Sequence, residues 1–330
     1  MNSLRASTLE TPADAPRLAL QDILGLVEKD LLRVEQVFHN EFLSDLQVIS
    51  DVAAHVRDAG GKRIRPALLL LASRLFAHTS DRMITLGAVV EYIHTATLLH
   101  DDVIDEATTR RGRASANSRW GNKVTVLIGD FLYTKSMAMA LTQENLGILR
   151  LLSDVTLRMI EGQVLEIEGE ANLAVREAQH IDIMRRKTAD LFSACMRIGA
   201  KLANASEADE KAAGDYGLAL GLAFQMKDDL LDFTATESKL GKPVGLDLRE
   251  GKLTLPVIYM LEGGDADARA KVEAVVEDRG FARVSHEEIV AAARRTGALA
   301  RAEEVAIAQA EAARRALSAF PKSRERDALL

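Results

Sequence analysis

The chain has 330 residues, of which 48% are hydrophobic and 28% are charged, and its formal net charge at pH 7 is −7. This composition excludes an intrinsically disordered protein, and the acidic balance argues against a general nucleic-acid-binding protein. The single cysteine, Cys195, excludes an intramolecular disulfide framework and favours a reducing compartment.

The N-terminal segment 1–16 is polar and contains two prolines, so we predict a flexible tail there. Its first residues lack the apolar core of a signal peptide, and no apolar run of about 18 residues predicts a membrane-spanning helix. No shift in composition marks a domain boundary after the tail. We therefore expect one soluble domain over 17–330 and a cytoplasmic location.

The distribution of prolines favours an all-α fold. No proline lies between Pro66 and Pro243, and proline both disrupts helix interiors and is common in the turns of sheet proteins. The glycine-rich segment 236–254 is predicted to be a functional loop. Apolar residues at helical spacing predict helices over 66–77, 82–105, 122–142, 145–168, 174–204, 207–235, 254–262, 265–279, 285–297 and 299–318.

Two Asp-Asp-x-x-Asp motifs, at 101–105 and 228–232, occupy otherwise apolar helical sequence. In a helix the first and last aspartates of such a motif lie about 40° apart on one face. Two facing acidic surfaces are tolerable when cations lie between them, and Mg²⁺ is usually held by carboxylates together with phosphates. The alternative is a pair of solvated acidic turns, which the surrounding Leu and Ile residues disfavour.

Basic residues cluster near these motifs in sequence. Lys62 and Arg65 flank a predicted helix start, which is a natural site for an anion. The pair 110–111 is Arg-Arg and directly follows the first acidic motif, where bidentate contact with a phosphate is possible. Lys187 lies in a basic run, and Lys242 lies on the predicted loop.

Two further polar residues share the acidic faces. His94 precedes Asp101 by seven residues, and Gln225 precedes Asp228 by three. A histidine on a helix face is more often a core residue than a functional one, but the alignment of His94 with Asp101 favours a functional role.

Taken together, these motifs resemble those of the trans-polyprenyl diphosphate synthases. The shared segments follow the family's order, span roughly residues 60–256 and lie at 60–66, 94–105, 110–112, 129–132, 187–188 and 225–229. The resemblance implies the isoprenoid-synthase helical bundle around a central cleft, in a homodimer.

The resemblance also implies roles for individual residues at a site with two or three Mg²⁺ ions. The expected metal ligands are Asp101, Asp105 and Asp228, supported by Asp102, Asp229 and Asp232. The expected contacts of the allylic diphosphate are Arg110, Lys187, Thr188, Gln225 and Lys242. The expected contacts of isopentenyl diphosphate are Lys62, Arg65, His94 and Arg111. Catalysis itself is assigned to Asp101, Asp105, Asp228, Arg110 and Lys187.

Product length depends in this family on the residues just before the first acidic motif. Here these residues are Ala96 and Thr97, whose small size leaves room for a long apolar tail. The run 94–102 is similar to octaprenyl, solanesyl and decaprenyl synthases, which implies an all-trans product of about C40 to C50 for a quinone side chain, with at most transient membrane contact. The alternative is that Tyr92, Leu132 or Leu152 closes the tunnel sooner.

Other activities share parts of this pattern. A farnesyl or geranylgeranyl diphosphate synthase, a class I terpene cyclase and a non-catalytic subunit of a heteromeric synthase remain alternatives. A di-iron carboxylate bundle is a further one, because Glu-x-x-His occurs at 91–94 and 177–180. That reading leaves both Asp-Asp-x-x-Asp motifs and the basic residues unexplained.

Overall fold

The computed structural model describes residues 18–42, 44–234 and 244–330. The predicted tail 1–16 lies outside the described residues, as do Lys242 and the first part of the predicted loop 236–254.

The described residues are almost entirely helical, which confirms the predicted all-α fold class. The helices are α1 (Leu20–Gly25), α2 (Glu28–Phe42), α3 (Gln47–Asp58), α4 (Ile64–Leu75), α5 (Asp81–Ile104), α6 (Ala116–Trp120), α7 (Asn122–Leu141), α8 (Leu146–Gly169), α9 (Glu177–Met184), α10 (Asp190–Leu202), α11 (Glu207–Thr234), α12 (Leu246–Arg249), α13 (Leu255–Glu262), α14 (Ala266–Asp278), α15 (His286–Arg295), α16 (Ala298–Leu317) and α17 (Arg324–Leu329).

Two local features depart from the predicted elements. The helix predicted over 174–204 is divided into α9 and α10 by a π-helical turn, Arg185–Ala189. A short antiparallel hairpin, β1 (Thr109–Arg110) and β2 (Arg113–Ala114), follows α5. Its two turn residues both have positive φ, 51° and 76°, which is the geometry of a type I′ turn and matches the twist of paired strands.

Helix α5 is the central element of the bundle. It packs against α7, α2, α4 and α10, and its apolar residues surround the helix instead of forming one stripe, as expected for a helix buried on several sides. Its C-terminal end carries the first acidic motif and contacts charged side chains of other segments.

Helix α11 carries the second acidic motif and contributes to two buried apolar clusters of the described residues. It packs chiefly against α10, the π-helical turn and α16. Gly217 and Gly221 let it approach α10 closely, because a Cβ atom on Gly221 would lie 2.6 Å from the Cα of Ala189. This contact brings the second motif beside the π-helical turn.

Among the described residues, one helix, α7, is long and apolar enough to cross a membrane by length and composition, and 39% of its most apolar stretch is buried. A core helix of a soluble protein passes the same test, and α7 packs along α5.

Candidate active site

The first and last aspartates of the first motif lie beside two lysines. Asp105 has its Oδ2 3.2 Å from the Nζ of Lys252, and Lys187 donates a hydrogen bond to Glu166 of α8. Burial, together with the nearby carboxylates of Asp105 and Glu166, raises the pKa of Asp101 to about 6, although Lys187 opposes the shift. These five side chains are called the mixed-charge cluster below.

Lys252 keeps its charge inside this cluster. Burial alone would lower the pKa of Lys252, but the carboxylates of Glu166, Asp105 and Glu250 outweigh that effect and raise the pKa above its usual value. The Lys252 Nζ also lies 3.0 Å from Glu250 Oε2. The cluster therefore places the amino groups of two lysines among carboxylates.

The middle aspartate of the first motif has a different neighbour. Asp102 is 2% exposed, and its Oδ1 accepts from the Nε of Arg110 at 2.7 Å and lies 2.6 Å from Nη2. The Asp102 carboxylate is thus paired with an arginine of the hairpin. The predicted supporting role of Asp102 at a metal stays a prediction.

A second compartment, the arginine cavity, lies on the neighbouring face of α5, between that helix, α3, the start of α4 and the hairpin. Its lining includes Arg63, His94, Leu98, Asp102, Arg110 and Arg111. Asp101 and Asp105 are not among the lining residues. The end of α5 therefore separates two charged compartments, although helical spacing alone aligned His94 with Asp101.

His94 is neutral in this cavity. Burial lowers its pKa well below the usual value, and the positive charges of Arg65, Arg111, Arg110 and Arg63 add to the shift. The imidazole can donate or accept a hydrogen bond there, but it adds no charge.

Arg63 and Arg65 differ in which groups contact their guanidinium charges. Arg63, which sequence reasoning did not single out, has a φ of 49° at the start of α4 and donates to Glu35 and Glu91. Arg65 stacks its guanidinium 5.1 Å from the ring centroid of Phe192, and its buried Nε has no hydrogen-bond partner among the described residues.

The exposed residues at the rim of the cavity complete the predicted diphosphate contacts. Arg111 donates to the carbonyl of Gly60, which ties the hairpin to the Gly-Gly-Lys-Arg segment. Lys62 is exposed on that segment. Positive charge with unmet hydrogen-bonding capacity in a concave site favours an anion.

The second motif distributes its aspartates differently from the first. Asp228 is exposed, whereas Asp229 and Asp232 are buried. Asp232 Oδ2 accepts from the backbone N–H of Asp247 at 3.1 Å, and its carbonyl accepts from the N–H of Gly245 at 3.0 Å. Asp232 therefore anchors the start of α12, and its predicted metal role stays a prediction.

A chain of hydrogen bonds connects the second motif to the π-helical turn. The Thr188 hydroxyl donates to Gln225 Oε1 at 2.9 Å, and Gln225 Nε2 donates to Asp229 Oδ1 at 2.9 Å. His180 Nε2 lies 3.2 Å from Asp229 Oδ2. The structure thus brings together Thr188 and Gln225, two residues that the sequence predicted for one substrate.

The residues predicted to control product length lie deeper in α5. Ala96 is buried, and the Thr97 hydroxyl donates to the carbonyl of His94 at 2.8 Å. Tyr92 is fully buried, with its ring centroid 4.6 Å from that of Phe38. Leu132 and Leu152 are also fully buried. The residues that could close a tunnel are therefore core residues.

The mixed-charge cluster fits a divalent cation that a substrate phosphate helps to hold. Within 18–42, 44–234 and 244–330, no three His, Cys, Asp or Glu side chains converge to hold an ion by themselves. Mg²⁺ commonly uses one or two carboxylates plus phosphate oxygens and waters. Burial, and to a smaller extent the carboxylates of Asp105 and Glu166, raises the pKa of Asp101, and a bound cation would favour the ionised form.

The di-iron alternative is disfavoured because its carboxylates already pair with arginines. Glu91 accepts from Arg63, and Glu177 Oε2 lies 2.9 Å from Arg301. His180, from the second Glu-x-x-His, contacts Asp229 instead of Glu177.

Sequence reasoning missed Lys252, Glu166 and Arg63 as parts of the site. Lys252 follows Gly251 at the end of the predicted functional loop, and this position beside a glycine was an available signal. Glu166 is one of several acidic residues on α8 and carried no such signal.

Comparison with known proteins places the chain among enzymes with this layout. Residues 46–293 match the polyprenyl synthetase family. The octaprenyl diphosphate synthase of Haemophilus influenzae is 37% identical over 313 residues, which cover 95% of each chain. That of Escherichia coli is 36% identical over 311 residues, covering 94% of this chain and 96% of the relative.

Solved structures agree with the fold. The decaprenyl diphosphate synthase from Rhodobacter capsulatus superposes with a TM-score of 0.89 at 37% identity and covers 94% of this chain and 96% of its own. A polyprenyl synthase from Caulobacter crescentus, complexed with calcium and isoprenyl diphosphate, gives a TM-score of 0.90 at 35% identity, covering 95% and 96%. These structures have the all-helical fold that the resemblance implied.

Proposed function

The chain belongs to the polyprenyl synthetase family and is a prenyltransferase, and we propose that it extends an allylic diphosphate with isopentenyl diphosphate in a Mg²⁺-dependent reaction. The observation that carries the proposal is the pair of charged compartments at the end of α5. One combines carboxylates with Lys187 and Lys252, and the other collects arginines around a neutral His94.

The mixed-charge cluster is suited to the allylic diphosphate. We assign Asp101 and Asp105, with Asp228 from the second motif, to the metal ions, and Lys187, Lys252 and Arg110 to the diphosphate oxygens. Bound Mg²⁺ would neutralise the leaving diphosphate. The lysines stabilise the same charge as the C–O bond breaks and its electron pair leaves with the diphosphate.

The arginine cavity is suited to isopentenyl diphosphate. Lys62, Arg65 and Arg111 bind its diphosphate, and His94 hydrogen-bonds it without adding charge. This position holds the double bond beside the allylic carbon. The double bond attacks that carbon, and the new cation loses a proton to the departed diphosphate, so no side-chain nucleophile is needed. The single cysteine fits this chemistry, because burial raises the pKa of Cys195 to about 12 and keeps it a thiol.

We propose a long product of about C40 to C50 that supplies a quinone side chain. Small residues at Ala96 and Thr97 support this, and so does the similarity to synthases named for octaprenyl, nonaprenyl and decaprenyl products. Replacing Ala96 with Phe should shorten the product by several isoprene units, whereas Ala88→Val, also on α5, should leave it unchanged. Unaltered length in Ala96→Phe would overturn this tunnel assignment.

The enzyme is proposed to act as a cytoplasmic homodimer through α7 and α8. These neighbouring helices present large apolar side chains that are each more than half exposed: Leu127, Leu141, Leu146, Leu157 and Ile160. Exposed apolar side chains grouped on neighbouring helices favour an interaction surface, and a second copy of the same face would cover them symmetrically. Ile160→Glu should give a monomer in sedimentation analysis, and an unchanged dimer would reject this face.

A product assay tests the function directly. Purified protein is incubated with Mg²⁺, labelled isopentenyl diphosphate and farnesyl diphosphate, and the dephosphorylated product is sized. A C40 to C50 ladder that is lost with EDTA is expected. A stop at C15 or C20 would indicate a short-chain synthase, a cyclic hydrocarbon would indicate a terpene cyclase, and no incorporation with any primer would indicate a non-catalytic subunit.

A further inference from the structure

Three elements meet in the hydrogen-bonded chain that ends at His180. His180 lies on α9, Gln225 and Asp229 lie one turn apart on α11, and Thr188 lies in the π-helical turn. The three distances are 3.2, 2.9 and 2.9 Å. Neither metal binding nor diphosphate binding explains why a histidine lies at one end of this hydrogen-bonded chain.

Asp229 is committed to this chain. Its side chain is 8% exposed, and its two carboxylate oxygens accept from different residues, His180 and Gln225. Asp228, the preceding residue, is exposed instead. A buried carboxylate whose oxygens are both hydrogen-bonded by the protein is poorly placed to turn toward a metal.

The two oxygens of Asp229 set the direction of every bond in the chain. Carboxylate oxygens accept, so His180 donates from Nε2 and Gln225 presents its Nε2 to Asp229. The Gln225 amide is thereby fixed in one of its two orientations, and its Oε1 faces Thr188. The Thr188 hydroxyl then donates to Gln225, which leaves one Gln225 Nε2 proton to donate to a diphosphate oxygen and the Thr188 lone pairs to accept from a water or an ammonium group.

We propose that His180 and Asp229 are positioning residues that fix the Gln225 amide and the Thr188 hydroxyl in the allylic half of the site. This inference rests on the proposed function. It removes Asp229 from the metal ligands predicted from the sequence and gives His180 a role that its sequence position did not indicate.

The π-helical turn explains why these hydrogen bonds affect the substrate site. On one side of the turn, Gly162 of α8 comes so close that a Cβ atom there would lie 3.1 Å from the backbone nitrogen of Lys187. On the other side, Thr188 is tied through Gln225 to Asp229. π-helical turns are often functional sites and are held by their surroundings. Weakening the hydrogen bonds to Asp229 should therefore change the positions of Thr188 and Lys187 together.

The test uses paired variants of the full-length protein. His180→Phe keeps a ring of similar size and removes the donor, whereas His180→Gln retains a donor and should rescue the effect. His78→Phe is the matched control, since His78 bonds Ser80 outside the site. KM for farnesyl diphosphate, KM for isopentenyl diphosphate and kcat are measured, together with the thermal midpoint of each variant.

The proposal expects a selective change. His180→Phe should raise KM for farnesyl diphosphate about tenfold, the effect of one hydrogen bond to a charged group, while KM for isopentenyl diphosphate and the Mg²⁺ concentration for half-maximal activity stay unchanged. His180→Gln and His78→Phe should stay within about twofold of the parent. Equal rises in both KM values, a shifted Mg²⁺ requirement or no effect would overturn the proposal.

A binding measurement separates this proposal from the proposed function. The affinity for inorganic diphosphate with Mg²⁺ is measured by calorimetry for the parent and both His180 variants. Weaker binding in His180→Phe alone supports the positioning role even when the parent forms no product. Equal binding in all three rejects the positioning role even when the parent makes a long polyprenyl product.

Discussion

The two Asp-Asp-x-x-Asp motifs have the same pattern and different surroundings. In the first, Asp101 and Asp105 lie beside lysines, and only the middle residue, Asp102, is buried against an arginine. In the second, Asp229 and Asp232 are both buried and accept hydrogen bonds from the protein. Two aspartates of the first motif thus lie beside ammonium groups, whereas two of the three aspartates of the second hold neighbouring segments in place.

This difference follows from where each motif lies on its helix. The first ends α5, so its last aspartate is the C-terminal cap and the chain turns away into the hairpin. The second is followed by two further residues of α11, and α9 and α12 pack over it. Identical spacing therefore places carboxylates on one helix face without deciding how many of them reach the cleft.

The largest expected effect separates the motifs by activity. Asp101→Asn should lower kcat by about 10³-fold or more, because it removes a carboxylate that we assign to the metal. Asp232→Asn, which alters a contact with the backbone of α12, should lower kcat far less. Steady-state kinetics at saturating Mg²⁺ measure both, and equal losses would contradict the comparison.

The next effect concerns stability within the first motif. Asp102→Asn should lower the free energy of unfolding by about 2 kcal/mol, because it leaves Arg110 without its buried partner. The loss is smaller than for a fully buried pair, since the Arg110 side chain is 34% exposed. Urea denaturation measures it. The matched variant Asp215→Asn, which removes the partner of the exposed Lys211, should be nearly neutral, and a larger loss there would contradict the assignment.

A third prediction uses the pKa of Asp101, which burial raises to about 6. A carboxyl whose folded-state pKa lies above its unfolded value protonates more readily when folded, so it reduces stability as pH rises from about 4 to 6. Asp101→Asn should therefore stabilise the metal-free protein at pH 8 by on the order of 2 kcal/mol and leave it unchanged near pH 4. Denaturation at the two pH values measures this, and equal stabilisation at both would contradict it.

The smallest effect lies within the second motif. Asp228→Asn should raise the Mg²⁺ concentration needed for half-maximal activity. Asp229→Asn should leave that concentration unchanged and raise KM for farnesyl diphosphate about tenfold, because it disrupts the orientation of Gln225. A shift in the Mg²⁺ requirement with Asp229→Asn would show that the second motif acts like the first.

The sequence was sufficient for the fold class and for the long helices. Proline placement and helical periodicity located the long helices close to their observed ends, because both depend on local backbone and side-chain properties. The π-helical turn at Arg185–Ala189 was not predictable in this way, since packing against Gly162 and α11 surrounds it. The motifs were specific enough to identify the family, which the comparisons confirmed.

Only the tertiary structure decided which partner each charged side chain meets. Helical spacing grouped His94 with Asp101, but the hairpin after α5 and the start of α4 place His94 in the arginine cavity. Lys252 joins Asp105 although 147 residues (252 − 105) separate them in the chain. Periodicity describes the face of one helix, whereas burial, pairing and pKa depend on what other segments of the chain bring to that face.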